Sequence, residues 1–140
     1  MRLYRVGLFT DVYFPNPNGV TTSVYLLLRE LRRMGHEAWV IAPAHPEAPE
    51  NEEGVARVPS VAYPFYEGQQ IALPSARHLP TEFELVHTHT PLTLGVWGLR
   101  IARNKNLPHV STFHTHYEKY AHYVPGLAFL DKYTGIVPRL

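Results

Sequence analysis

An α/β fold, a Rossmann-like parallel sheet flanked by helices, is what this sequence predicts, and three observations predict it. Apolar runs of strand length alternate with segments whose apolar residues recur every three or four positions; glycine and proline fall at the joints; and the strand-helix-strand rhythm occurs twice. Parallel neighbours need a crossover, and the right-handed crossover lays a helix back on the sheet.

Residues 4–10 read as a short, mostly apolar strand and residues 11–19 as a turn-rich loop. Val20, Val24, Leu27, Leu28, Leu31 and Met34 then fall on one face of a helix. Gly35 stands where a left-handed cap is expected, and residues 38–42 supply a strand that ends at Pro43. Residues 44–54, rich in proline and glutamate, predict a surface connection, residues 55–58 a third strand, and Ile71, Ala72 and Leu73 an edge strand. Residues 83–89 read as a further strand, 92–104 as a helix and 109–114 as the next strand. Residues 117–140 carry helical stretches interrupted at Pro125, Gly126 and Pro138, and show no further strand.

Bulk properties narrow the function. The chain has 140 residues, 45% of them hydrophobic, which suits one globular domain with a real core. A net charge of +1 leaves no broad electrostatic footprint for nucleic acid, so an anionic partner must be held locally. Without cysteine there is no disulfide framework, thiolate zinc site or thiol nucleophile. The first residues lack the apolar core of a signal peptide, and no apolar run approaches the ~20 residues of a membrane span. The expectation is a cytoplasmic protein, in contact with the inner face of a membrane if its acceptor is a lipid.

In an open parallel sheet, ligands gather beyond the carboxyl ends of the strands. Three loops here leave strands at that edge. In the first, Asn18 and Gly19 precede the long helix; Gly19 lets a phosphate approach the backbone, and the free N–H groups of the first turn favour an anion. Read from the residues alone, Gly19 is equally well a tight turn, since neither a dinucleotide fingerprint nor a Walker lysine is present. The other two loops carry His87-Thr88-His89 and His114-Thr115-His116, and residues two apart on a strand share a face. Imidazoles so placed can hold a metal, move a proton or make neutral hydrogen bonds. Only Asp11 among the acids clearly stands at a strand exit, so no metal is expected, and a metal-dependent hydrolase using His87, His89, His114 and His116 is the weaker alternative. His36, His45, His78 and His109 are expected to be hydrogen-bonded residues without a reactive role. Tyr117, Tyr120 and Tyr123, with Phe65 and Tyr66, offer aromatic bodies with polar tips or apolar surface suited to a sugar or a lipid boundary.

Phe14-Pro15, Asn18-Gly19-Val20, the run from Arg32 to Pro43, His87-Thr88-His89-Thr90-Pro91 and Ser111-Thr112-Phe113-His114-Thr115 together resemble the opening of the family 4 retaining glycosyltransferases, in the same order. The resemblance covers the chain from residue 3 to about residue 123. The wording of residues 114–120 is most similar to the branch with glucosyl-diacylglycerol synthases and phosphatidylinositol mannosyltransferases.

That resemblance implies the two-Rossmann-domain GT-B architecture, with residues 1–140 as its amino-terminal, acceptor-side domain and the carboxy-terminal nucleotide-sugar-binding domain absent. It implies transfer of a hexose from a UDP- or GDP-sugar to an acceptor hydroxyl, small-molecule or lipid such as diacylglycerol, with retention. The nucleotide sugar would be a co-substrate, with no tightly bound cofactor. Asn18, Gly19 and Val20 would meet the donor diphosphate, although the family commonly has two glycines where this chain has Asn18 and Gly19. His114 would lie beside the transferred sugar as the catalytic residue, and Asp11, His87, Thr115 and Tyr117 near the acceptor. This chain alone is expected to be inactive, because the diphosphate would meet one wall of its cleft. The alternative from another class is a stand-alone module binding a sugar, polyol or lipid headgroup.

Overall fold

The computed structural model describes residues 1–65 and 67–114. Five parallel strands form the sheet: β1 (Arg5–Phe9), β2 (Glu37–Pro43), β3 (Val55–Val58), β6 (Leu85–Thr88) and β7 (His109–Ser111), in the order β3-β2-β1-β6-β7. Helix α1 (Gly19–Arg33) links β1 to β2, and α2 (Thr93–Asn104) links β6 to β7.

Both faces of the sheet are covered, which is why its strands read as continuous apolar runs. Val6 and Leu8 of β1 pack with Val24 and Leu28 of α1 and with Ala38, Val40 and Ala42 of β2. Phe9 turns to the opposite face, joining Ile41, Val58, Val86, and Leu94 and Ala102 of α2. Its ring meets Phe83 and Trp97 edge-on at 5.8 and 5.7 Å, a favourable quadrupole geometry. Gly7 is small for a reason: a methyl group there would stand 2.8 Å from both the Phe83 and Phe9 rings.

Local signals account for the first helix. The Asn18 side chain accepts from the Thr21 amide at 2.9 Å, capping the amino terminus. At the other end Gly35 takes φ +95°, with Gly35 N–H donating to Arg32 and His36 N–H to Leu31, a complete Schellman pair. Met34, placed by periodicity on the buried stripe, is instead 45% exposed, because it is the cap residue where the chain leaves the sheet-facing stripe.

The edge strand expected at residues 71–73 is present, one residue earlier. Residues 70–72 do form a strand, β5 (Gln70–Ala72), but it pairs antiparallel with β4 (Ser60–Ala62) in a separate two-stranded sheet. The connection between them is too short for a crossover, so only a hairpin can form. The expected helical stretches of residues 117–140 lie outside the described residues.

Candidate functional site

The winding of the sheet locates the site. From β1 the chain passes to β2 and β3 on one side and then returns to place β6 on the other. The crevice at such a reversal opens between the carboxyl ends of β1 and β6, where the following loops diverge. Phe9 and Thr88 are register partners there, and Ser111 sits opposite Thr88. Helix α1 begins at this edge too, since a parallel crossover must run back along the sheet. Gly19 and His114 therefore share one sheet edge.

Asp11 follows β1 and is buried at this edge. Its carboxylate accepts from the Thr90 hydroxyl at 2.5 Å, the Leu94 amide at 2.8 Å and the Gly95 amide at 3.3 Å. Leu92 offers α2 no side-chain cap, so Asp11 satisfies the helix amino terminus from a distant loop. The residue is 4% exposed, and burial outweighs these three hydrogen bonds to push its pKa up to about 6. Expected beside an acceptor hydroxyl, Asp11 has both oxygens engaged within the domain, and the role the structure gives it is that of a helix cap.

The loop from Asp11 to Asn18 is pinned by groups that sequence reasoning missed. Arg57 of β3 makes a two-pronged ion pair with Glu52, at 2.8 and 2.9 Å, and donates to the carbonyls of Pro43 and Phe14. Gln69 donates to the Asp11 carbonyl and Asn16 to that of Gly68. A single arginine in an apolar strand was the available signal. It pointed to a buried or bridged charge, not to a particular partner.

At the α1 amino terminus, Asn18 spends its side chain on the Thr21 amide, and its carbonyl accepts from Thr22. Val20 packs against the core, so what it can offer a ligand is its N–H. A methyl group added at Gly19 meets nothing within 4 Å among the described residues, and the residue is not in the left-handed region. Neither backbone conformation nor the described packing demands a glycine there.

The histidines form a stack. The rings of His87 and His89 lie 4.1 Å apart at 30°, and those of His89 and His114 lie 5.4 Å apart at 27°. His87 Nε2 is 2.7 Å from the Thr112 hydroxyl, and His89 Nδ1 is 3.1 Å from His114 Nε2. Desolvation, reinforced by neighbouring imidazoles, holds the pKa of His87 down to about 4 and of His89 to about 3; burial lowers that of His114 as well. All three are neutral at pH 7 and act there as hydrogen-bonding groups.

Nearly parallel rings do not aim their lone pairs at one point, and a nitrogen shared in the His89–His114 bond is not free to ligate. Among the described residues no group of three or more His, Cys, Asp or Glu could hold a metal ion. His36, His45 and His109 each have a hydrogen-bond partner, in Tyr4, Glu47 and Thr88. Thr115, His116 and Tyr117 lie outside the described residues, as does Tyr66.

This stack is expected to make the fold acid-labile. The unfolded histidines bind protons from pH 6.5 downward, whereas the folded His87 and His89 resist until about 4 and 3, so stability present above pH 6.5 drains away as pH falls. Asp11 has the opposite sign: folded at about 6 against 3.8, it favours the folded state as pH falls through that window. Two histidines outweigh one aspartate. The midpoint of urea unfolding is therefore expected to fall between pH 7 and pH 5; an unchanged or rising midpoint would contradict a buried neutral stack.

A parallel sheet covered by α1 on one face and α2 on the other, with a helix amino terminus and a histidine group at its switch-point edge, defines a Rossmann-like domain. The chain belongs to glycosyltransferase family 4, matching the family described as Glycosyltransferase Family 4 over residues 17–138. It is 35% identical over 126 residues to the alpha-monoglucosyldiacylglycerol synthase of Streptococcus pneumoniae, covering 86% of this chain and 29% of that protein. It is 36% identical over 121 residues to a GDP-mannose-dependent alpha-mannosyltransferase of Mycolicibacterium smegmatis, covering 79% and 32%. Against the phosphatidyl-myo-inositol mannosyltransferase of Mycobacterium leprae the identity is 30% over 122 residues, covering 79% and 32%. The chain thus spans about a third of the length of these curated relatives. Among the described residues no helix is long and apolar enough to cross a membrane.

Proposed function

We propose that the intact protein transfers a hexose from a UDP- or GDP-sugar to an acceptor hydroxyl, with retention of configuration, and that this domain forms the acceptor-side wall of the cleft. The observation that carries the reading is the opening of the α1 amino terminus, with a Gly19 that no described residue obstructs, onto the same sheet edge as His114. First-turn N–H groups of Gly19 and Val20 meet the diphosphate, with Asn18 shaping the turn. His114, neutral at pH 7, orients the sugar by hydrogen bonding and steadies developing charge. His87, Thr115 and Tyr117 serve the acceptor, while Asp11 holds the amino terminus of α2 at the same sheet edge.

A lipid such as diacylglycerol fits this reading best as acceptor, given what the relatives' names say of those proteins. Peripheral contact with a membrane surface goes with it. Phe65 is 80% exposed and pairs edge-on with Tyr63 at 5.7 Å in the connection between β4 and β5, an apolar pair held towards solvent.

Gly19→Ala separates folding from function. The methyl group meets nothing within 4 Å among the described residues, and alanine favours helix, so the variant is expected to be as stable as the parent or more so by up to about 1 kcal/mol. The same methyl group would stand where the diphosphate approaches. Assays of the intact protein with UDP-glucose and GDP-mannose, with diacylglycerol vesicles as acceptor, should show KM for the active donor raised at least about tenfold. Unaltered donor kinetics would remove the phosphate from this helix. Tight headgroup binding with no nucleotide affinity would favour the binding module instead.

A further inference from the structure

We infer that His89 is a positioning residue that fixes the tautomer and ring orientation of His114, so that His114 presents an Nδ1–H donor to the crevice. The inference rests on the reading in which His114 faces the transferred sugar, and it assigns a task to a histidine that this reading leaves without one.

His89 is held from several directions. It is 2% exposed, its backbone N–H donates to the Phe9 carbonyl at 3.0 Å, and its ring lies between those of His87 and His114. A ring so confined has little freedom to adapt to a partner. His114 is less buried, and among the described residues its ring is held by the contact between His89 Nδ1 and His114 Nε2 at 3.1 Å.

The direction of the proton follows from the far side of His89. Its Nε2 is buried and has no partner among the described residues. If His114 donated through Nε2–H, His89 would have to carry its own proton on Nε2, leaving a buried N–H without an acceptor among the described residues. If His89 donates through Nδ1–H, Nε2 is a bare lone pair, and an under-satisfied acceptor is better tolerated than an orphaned N–H. The second arrangement wins. His114 then accepts at Nε2 and keeps its proton on Nδ1, the nitrogen turned away from His89. A neutral ring in that tautomer donates to a hydroxyl or ring oxygen of a sugar; it does not offer a base there.

The arrangement parallels the way an outer partner fixes the tautomer of a metal-bound or catalytic imidazole, with an imidazole replacing the usual carboxylate. A carboxylate would favour the charged form of its partner. A neutral histidine orients without inviting a proton.

The test uses the intact protein labelled with nitrogen-15 in histidine, with tautomers read from the ring nitrogen shifts. The parent protein is expected to show Nδ1–H for both His89 and His114. His89→Phe keeps the bulk and removes the donor; it should release His114 to the other tautomer and lower kcat about tenfold, with donor KM changed by less than about twofold. His89→Asn, whose amide N–H can reach the place of Nδ1–H, should restore both readouts. An Nε2 proton on His114 in the parent overturns the inference, as does an unmoved His114 tautomer in His89→Phe. If His89→Phe fails to fold, the parent spectrum decides alone. A parent protein that transfers no sugar would sink the proposed reaction, while the tautomer measurement would still judge the pair.

Discussion

Replacing Gly95 with alanine should cost the fold about 3 kcal/mol or more, a large share of the roughly 5–15 kcal/mol that holds an ordinary domain folded. The added methyl group would collide with the Thr90 carbonyl, a backbone atom that cannot swing aside. Relief requires moving the start of α2, and that end is held by Asp11 through the Leu94 and Gly95 amides. Leu94 and Ala102 would leave the core with it. The sign makes the result decisive, since glycine to alanine inside a helix ordinarily gains about 1 kcal/mol. Gly98→Ala gives a graded comparison: its methyl group would stand 2.9 Å from the Phe9 ring and 3.1 Å from a Thr88 methyl group, side-chain atoms with some room to adjust. Urea denaturation of both variants should rank Gly95→Ala well below Gly98→Ala. A Gly95→Ala midpoint matching the parent would mean that α2 is not seated against Thr90.

Asp11→Ala should lower stability by about 3 kcal/mol, because the Leu94 amide, the Gly95 amide and the Thr90 hydroxyl all lose their acceptor in a buried place. Asp11→Asn should cost less. Its amide oxygen can still accept from Leu94, and as a neutral group it avoids the burial that raises the aspartate pKa to about 6. Denaturation at pH 7 should therefore order the three proteins with Ala the least stable. The measurement also separates two roles for this residue. A carboxylate whose main task was to hold an acceptor hydroxyl would leave the unfolding midpoint alone in Asp11→Ala and raise only the acceptor KM.

Reading the fold from sequence worked where the signal was local. The α1 stripe, the Gly35 cap and the strand before Pro43 all depend on neighbours within a few residues, and all three stand in the structure. Met34 was misplaced because periodicity does not say where a helix stops facing the sheet. For residues 71–73 the apolar run indicates a strand, but its partner at residues 60–62 carries no comparable run.

The candidate site was legible as a place more than as a set of roles. Strand exits at residues 11, 87–89 and 114 could be read from the rhythm, and the parallel sheet brings them to one edge. What His89 and Asp11 do there could not be read. Both look like reactive groups at strand ends, and each is buried with its bonds turned inward. The role of Arg57 is illegible for the same reason, since the carbonyls it holds belong to the end of β2 and to the loop after β1.

By itself the sequence determined the β-α-β periods, the Gly35 cap of α1 and, through motifs in fixed order, the membership of glycosyltransferase family 4. Tertiary structure alone decided that α2 is capped by an aspartate 83 residues away, that Gly95 admits a carbonyl, and that three imidazoles stack at the crevice. Periodicity and capping are energies between near neighbours and leave a trace in local composition. A buried hydrogen bond across the sheet depends on which surfaces meet, and that is fixed only once the chain has closed around its core.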